Sequence, residues 1–185
     1  MKDKTYCMYL ISIYFDESSD KKIRNLMNQI SKNTGNTTLP DNNVPPHITI
    51  SAFETNDENA AIQCLRKCCK HLRTGELQWV SVSTFFPYVI YLSPVLNEYL
   101  FDMSKIIYDN FTSLDNILLN KYYQPYNWQP HTTVGRKLSE NEMLLAFETL
   151  QKHFTPFKGT VTKIGLARTN PHRDIAVFEL NKTYE

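Results

Sequence analysis

The order of elements along the chain predicts an α+β or α/β domain, and three observations carry that prediction. Runs with β character alternate with amphipathic helical runs from one end to the other. No Gly/Ser linker, low-complexity stretch or sequence repeat divides the chain. Its 185 residues, 42% hydrophobic and 21% charged, are enough for one compact unit and too few for two large domains.

The elements follow in order. Tyr9 to Asp16 reads as a strand, and Ile23, Leu26, Met27 and Ile30 then recur at helical spacing until Gly35 ends the helix. Asn36 to Pro46 is polar and reads as a loop, followed by a strand from Ile48 to Phe53. Thr55 and Glu58 stand as a capping box ahead of a helix with Ile62, Leu65, Cys69 and Leu72 on one face. Leu77 to Phe85 and Val89 to Leu92 are two strands around a Phe86-Pro87-Tyr88 turn. Leu96, Tyr99, Leu100, Met103, Ile106, Ile107 and Phe111 line a further helix, and Leu114 to Pro130 is a polar and aromatic connection. Thr132 to Gly135 is a strand. Ser139 and Glu142 form a second capping box before the helix of Met143, Phe147, Leu150 and Phe154. Strands Phe157 to Ala167 and Ile175 to Leu180, with a turn at Asn170-Pro171, complete the chain.

Composition excludes several functions. A net charge of +1 does not suit wrapping long duplex nucleic acid, which needs a broad basic surface. The first apolar run is short and stops at Asp16 and Glu17, so it reads as a strand and not a signal peptide, and no run is long enough to span a membrane. A cytoplasmic monomer is expected. Cys64, Cys68 and Cys69 crowd one helix, where neighbours make poor disulfide partners. With His71 they still cannot surround a metal tetrahedrally from a single turn, so no metal is expected.

The chemistry lies in a repeated motif. Pro46-His47-Ile48-Thr49-Ile50 and Pro130-His131-Thr132-Thr133-Val134 share the pattern P-H-x-T-aliphatic. A given histidine would match by accident at roughly one in a thousand, so two matches among five histidines point to function. Residues i and i+2 of a strand share a face, which sets each histidine beside its threonine, and the proline favours a strand's beginning. Two such strands facing across a cleft would converge two imidazoles and two hydroxyls on a phosphate. The hydroxyls donate to nonbridging oxygens while one neutral histidine removes a proton and one protonated histidine delivers one. His71, His153 and His172 lack the pattern and read as ordinary surface or core residues.

With these motifs the chain resembles the two-histidine phosphoesterase superfamily, which includes 2'-5' RNA ligase and RNA 2',3'-cyclic phosphodiesterases and whose hallmark is a pair of H-x-T motifs. The segment from Phe86 to Val95 and the helix from Leu96 are similar to the family's central strand and helix. The resemblance implies one domain over residues 1–185. It would have two pseudo-symmetric β/α lobes with antiparallel sheets facing a central cleft, each lobe contributing one motif. It also implies catalysis by His47, Thr49, His131 and Thr133 with no cofactor and no metal. The expected substrate is a 2',3'-cyclic phosphate on an RNA end or a small nucleotide. RNA 2'-5' ligation by the reverse reaction and a non-catalytic nucleotide-binding module are the alternatives. For hydrolysis the expected base is His131 and the expected acid His47. Arg136 follows in H-x-T-x-x-R register as a phosphate contact or a surface charge, since strict alternation from His131 turns it to the opposite face unless the strand ends at Gly135. Tyr126 and Trp128, with Tyr122 and Tyr123, offer a wall for a base. Lys121, Lys163 and Arg168 are lesser sources of positive field.

Overall fold

The computed structural model describes residues 7–169 and 172–182. The expected turn at Asn170-Pro171 therefore lies outside the described residues. Strand β1 (Cys7–Phe15) leads into α1 (Glu17–Thr34), a single turn α2 (Thr38–Asp41), β2 (Ile48–Thr55) and α3 (Glu58–Cys68). Then come β3 (Gly75–Phe85), β4 (Val89–Pro94), α4 (Glu98–Phe111) and β5 (Ile117–Leu119). Strand β6 (Thr132–Arg136), α5 (Glu140–His153), β7 (Phe157–Arg168) and β8 (Arg173–Glu179) complete it. The fold is mixed α and β, as the alternating pattern predicts, around an antiparallel sheet, as the resemblance implies.

The named strands run in the order β5-β2-β1-β7-β3-β4-β6, with β8 also on β7, and all their pairings are antiparallel. Strand β7 belongs to two neighbourhoods. Its first residues, Phe157 to Val161, pair with β3, while Lys163 to Arg168 lie between β1 and β8. The helices are exchanged between them: α1 follows β1 but packs on α5 and β6, whereas α4 follows β4 but packs on α3 and β2.

Local chemistry explains the boundaries. Asp16 caps α1 by accepting from the Ser19 amide, and Gly35 closes the helix in the left-handed region at φ 76°, where a side chain would be strained. The capping box at Ser139 and Glu142 is formed in full. Four expectations need correction. The capping residue of α3 is Asp57, whose carboxylate accepts from Ala60; Thr55 stays in β2 because pairing with Cys7 and Ile117 holds it there. Asn97 caps α4, which leaves Leu96 exposed ahead of the helix and not on its buried face. The Asn36–Pro46 segment contains α2, because burying Leu39 rewards one helical turn. The Leu114–Pro130 segment contains β5, which completes the edge of β2, and a 3-10 turn at Lys121–Tyr123. No described helix is long and apolar enough to cross a membrane.

Candidate active site

The two motifs fold alike. His47 stands just before β2 and His131 just before β6, each after a buried proline. Each ring bonds through Nδ1 to the carbonyl two residues earlier, Pro45 at 2.7 Å and Gln129 at 2.8 Å. A carbonyl only accepts, so Nδ1 carries the hydrogen and Nε2 is left as the free nitrogen of each ring. Thr49 is paired with Ser12 and Thr133 with Tyr91, so the side chains of each pair share a face. The intervening residues turn inward: Ile48 is in the core, and Thr132, fully buried, accepts from the Trp79 indole at 3.0 Å.

Each motif strand also carries a β-bulge at the aliphatic position of the motif. In β2, Thr49 and Ser51 oppose adjacent residues of β1, leaving Ile50 extra. In β6, Thr133 and Gly135 oppose adjacent residues of β4, leaving Val134 extra. A bulge inverts the alternation beyond it. Gly135 thus faces the core, against Ile90 and Leu138, and Arg136, opposite Val89, returns to the face of His131 and Thr133.

The strands carrying the motifs are far apart in sheet order, and the sheet curls to bring them together. Trp128, just before the second motif, donates its indole N–H to the Thr49 carbonyl at 3.0 Å, and residues of β1 and of the β6 end line one cavity. Burial pushes His47 down to about 4; the Pro45 carbonyl opposes this, and the charges of His172 and His131 add to it. Burial likewise lowers His131 against the opposing Gln129 carbonyl. Their mutual repulsion makes the doubly protonated state unfavourable.

Their surroundings differ. His131 lies edge-on to Phe85 at 4.8 Å and beside Tyr91 at 5.3 Å, at a cavity of about 480 Å³ that also takes in Tyr122, Tyr123, Asn127 and Trp128. His47 stacks on His172 at 6.0 Å beside a cavity of about 360 Å³. Asp174 Oδ1 lies 3.5 Å from His172 Nε2 and accepts from the Tyr14 hydroxyl at 2.7 Å. Ser12 Oγ, buried beside Thr49, has no hydrogen-bond partner among the described residues. No group of three or more His, Cys, Asp or Glu side chains among the described residues is placed to hold a metal ion.

The family model of the 2'-5' RNA ligase superfamily matches residues 16–173. The chain belongs to that superfamily. No curated protein matches the chain by sequence. Among solved structures it is similar to E. coli LigT complexed with 3'-AMP, with 12% identity over 96% of this chain and 100% of that one, at a TM-score of 0.61. LigT complexed with ATP gives 11% identity, 96% and 99% coverage and a TM-score of 0.56. A phosphoesterase structure gives 11% identity, 96% and 100% coverage and a TM-score of 0.61. At these identities the likeness shows the fold.

In this 2'-5' RNA ligase superfamily protein the expected secondary contacts fare unequally. Arg136 lies on the cleft side at the His47 cavity. Trp128 is buried and tied to Thr49, presenting only part of itself to the His131 cavity. Tyr126 is 89% exposed, packs on Phe101 at 4.8 Å and lines neither cavity at the histidines. Arg168 is engaged by Glu58 at 2.6 Å and Tyr9 at 3.2 Å, Lys163 by Glu179 at 3.1 Å, and Lys121 lies over the Tyr122 ring. The motif search passed over His172, Asp174, Ser12 and Tyr91. None carries a local pattern, and only strand pairing and packing bring them to the site.

Proposed function

We propose that the protein is a metal-independent phosphodiesterase that opens a 2',3'-cyclic phosphate on a nucleotide or RNA end. The reading rests on one observation: two imidazoles with Nδ1 tied and Nε2 free, at the starts of two strands that the Trp128–Thr49 hydrogen bond ties together. In this mechanism a neutral imidazole takes a proton from water through Nε2 as the water oxygen attacks phosphorus. The protonated partner gives its Nε2 proton to the departing ribose oxygen. Thr49 and Thr133 donate to the nonbridging oxygens, and Arg136 neutralises charge from the same face. That E. coli LigT forms complexes with 3'-AMP, ATP and phosphate supports a nucleotide ligand.

The environments favour a division of labour opposite to the sequence expectation. His47, held down to about 4, is the harder of the two to protonate and serves as the base, leaving His131 as the acid. The test of the overall activity is turnover of 2',3'-cyclic mononucleotides in excess EDTA, with the product position read by phosphorus NMR. Full activity in chelator is expected, since the residues offer proton donors and hydroxyls and no ligand cluster. Activity lost in EDTA and restored by zinc or manganese overturns the mechanism.

A further inference from the structure

We propose that the cavity beside His47 is a second phosphate subsite, so that the preferred substrate is an RNA end or other nucleotide bearing a further phosphate and not a free cyclic mononucleotide. The inference rests on the phosphodiester reading of the cleft and extends it. Its walls include His47, Arg136, Lys137 and His172, with Thr38 and Asn42, and no carboxylate among the described residues lines it. Neither Arg136 nor Lys137 makes an ion pair among the described residues. Two unneutralised cations on one concave wall repel each other, and an anion between them relieves that repulsion.

The backbone is built to place both cations there. Consecutive residues of a strand face opposite ways, yet Arg136 and Lys137 line the same cavity. The bulge at Val134 brings Arg136 to the cleft face, and Lys137 then adopts φ 55°, a left-handed conformation that costs a residue with a Cβ. The Asn36 side-chain amide donates to the Lys137 carbonyl at 3.1 Å and holds that turn. His172 also lines this wall, with its Nε2 3.5 Å from Asp174 Oδ1, which in turn accepts from the Tyr14 hydroxyl.

The neighbouring cavities sharpen the reading. Beyond Asp174 a cavity of about 740 Å³ is lined by Asp16, Glu17, Asp20, Asp174 and Glu179 against one lysine among the described residues, Lys163, so an anion is directed to the Arg136 side of His47. At His131 the cavity is aromatic and amide-lined, and no Lys, Arg, Asp or Glu among the described residues lines it, as suits a stacked base. The cleft thus offers a base site, the two histidines and an anion site.

Calorimetric titration of the full chain with adenosine 2'-monophosphate and adenosine 2',5'-bisphosphate tests this. Wild type should bind the bisphosphate roughly ten-fold more tightly, the scale of one charge-assisted hydrogen bond, with an advantage that shrinks as salt rises. Lys137→Asn removes the charge while suiting the left-handed backbone, and should erase most of that advantage. Equal affinities in wild type, or an advantage that Lys137→Asn leaves intact, overturns the subsite. Binding is read independently of turnover. A wild type that prefers the bisphosphate but opens no cyclic phosphate keeps the subsite and removes the proposed activity, and the opposite pair of results does the reverse.

Discussion

At His47 and His131 the bond from Nδ1 to a backbone carbonyl leaves Nε2 as the nitrogen open to the proposed substrate, and burial lowers its readiness to be protonated. A reaction needing one neutral and one protonated imidazole has its greatest kcat/KM between the two free-enzyme pKa values. Burial holds His47 at about 4 and His131 below the ordinary histidine value of about 6.5. The kcat/KM profile should therefore peak on the acid side of neutrality and fall as pH rises, and an optimum above about pH 8 would contradict the paired-histidine mechanism. Stability moves the opposite way: the native state binds fewer protons at His47 than the unfolded chain between about pH 4 and 6.5, so stability falls as pH drops through that window. Division of labour is open to a separate measurement. A thio leaving group departs without a proton, so the variant lacking the acid should recover most of its rate on such a substrate. Rescue of His131→Ala and not His47→Ala is expected; the converse would restore the assignment expected from sequence.

The elements deliver these residues through a few junctions. Asp16, one residue past β1, accepts from the Ser19 amide at 3.0 Å, the Ser19 hydroxyl at 2.7 Å and the Thr160 amide at 2.7 Å, tying the start of α1 to β7. Gly159 permits that approach, because a Cβ there would lie 1.9 Å from Ser19 Oγ. Burial raises the Asp16 carboxyl, yet the hydrogen bonds from Thr160 and Ser19 together outweigh it and leave it below the ordinary range. Asp16→Ala should cost about 1–2 kcal/mol by thermal unfolding at neutral pH, the range for a lost helix cap. A depressed carboxylate contributes above its unfolded pKa of about 3.9 and loses that contribution as pH falls through its folded value. The gap between wild type and variant should consequently close in acid, and a gap that persists unchanged at pH 2 would show that the charge is irrelevant. The bulges at Ile50 and Val134 are junctions of another kind, since each reverses the side-chain phase immediately after a catalytic candidate.

Across the whole molecule β7 is shared: its first residues hold β3 and its later ones hold β1 and β8, while α1 and α4 each cover the strands of the other half. Opening either half strips pairing from β7 and helical cover from the other, so unfolding should be one transition. The two tryptophans test this from opposite sides: Trp79 is buried on Phe157 and bonded to Thr132 of β6, and Trp128 is bonded to Thr49 of β2. In Trp79→Phe and in Trp128→Phe, fluorescence of the remaining tryptophan and far-UV circular dichroism should give one urea midpoint within each variant. Separate midpoints would show that the halves unfold independently. The amino-acid sequence by itself determined the alternation of strands and helices, the capping box at Ser139 and Glu142, and the two P-H-x-T motifs, because these are local patterns of period and capping chemistry. It also placed each histidine beside its threonine, since i and i+2 share a face before the bulge. Three features were decided only by tertiary structure. Arg136 reaches the histidine face because an extra residue in β6 shifts its register. Trp128, while lining the His131 cavity, also ties itself to the Thr49 carbonyl. His172, without any motif, comes to stack on His47. Each depends on which strand lies beside which, a non-local pairing that no window of neighbouring residues encodes.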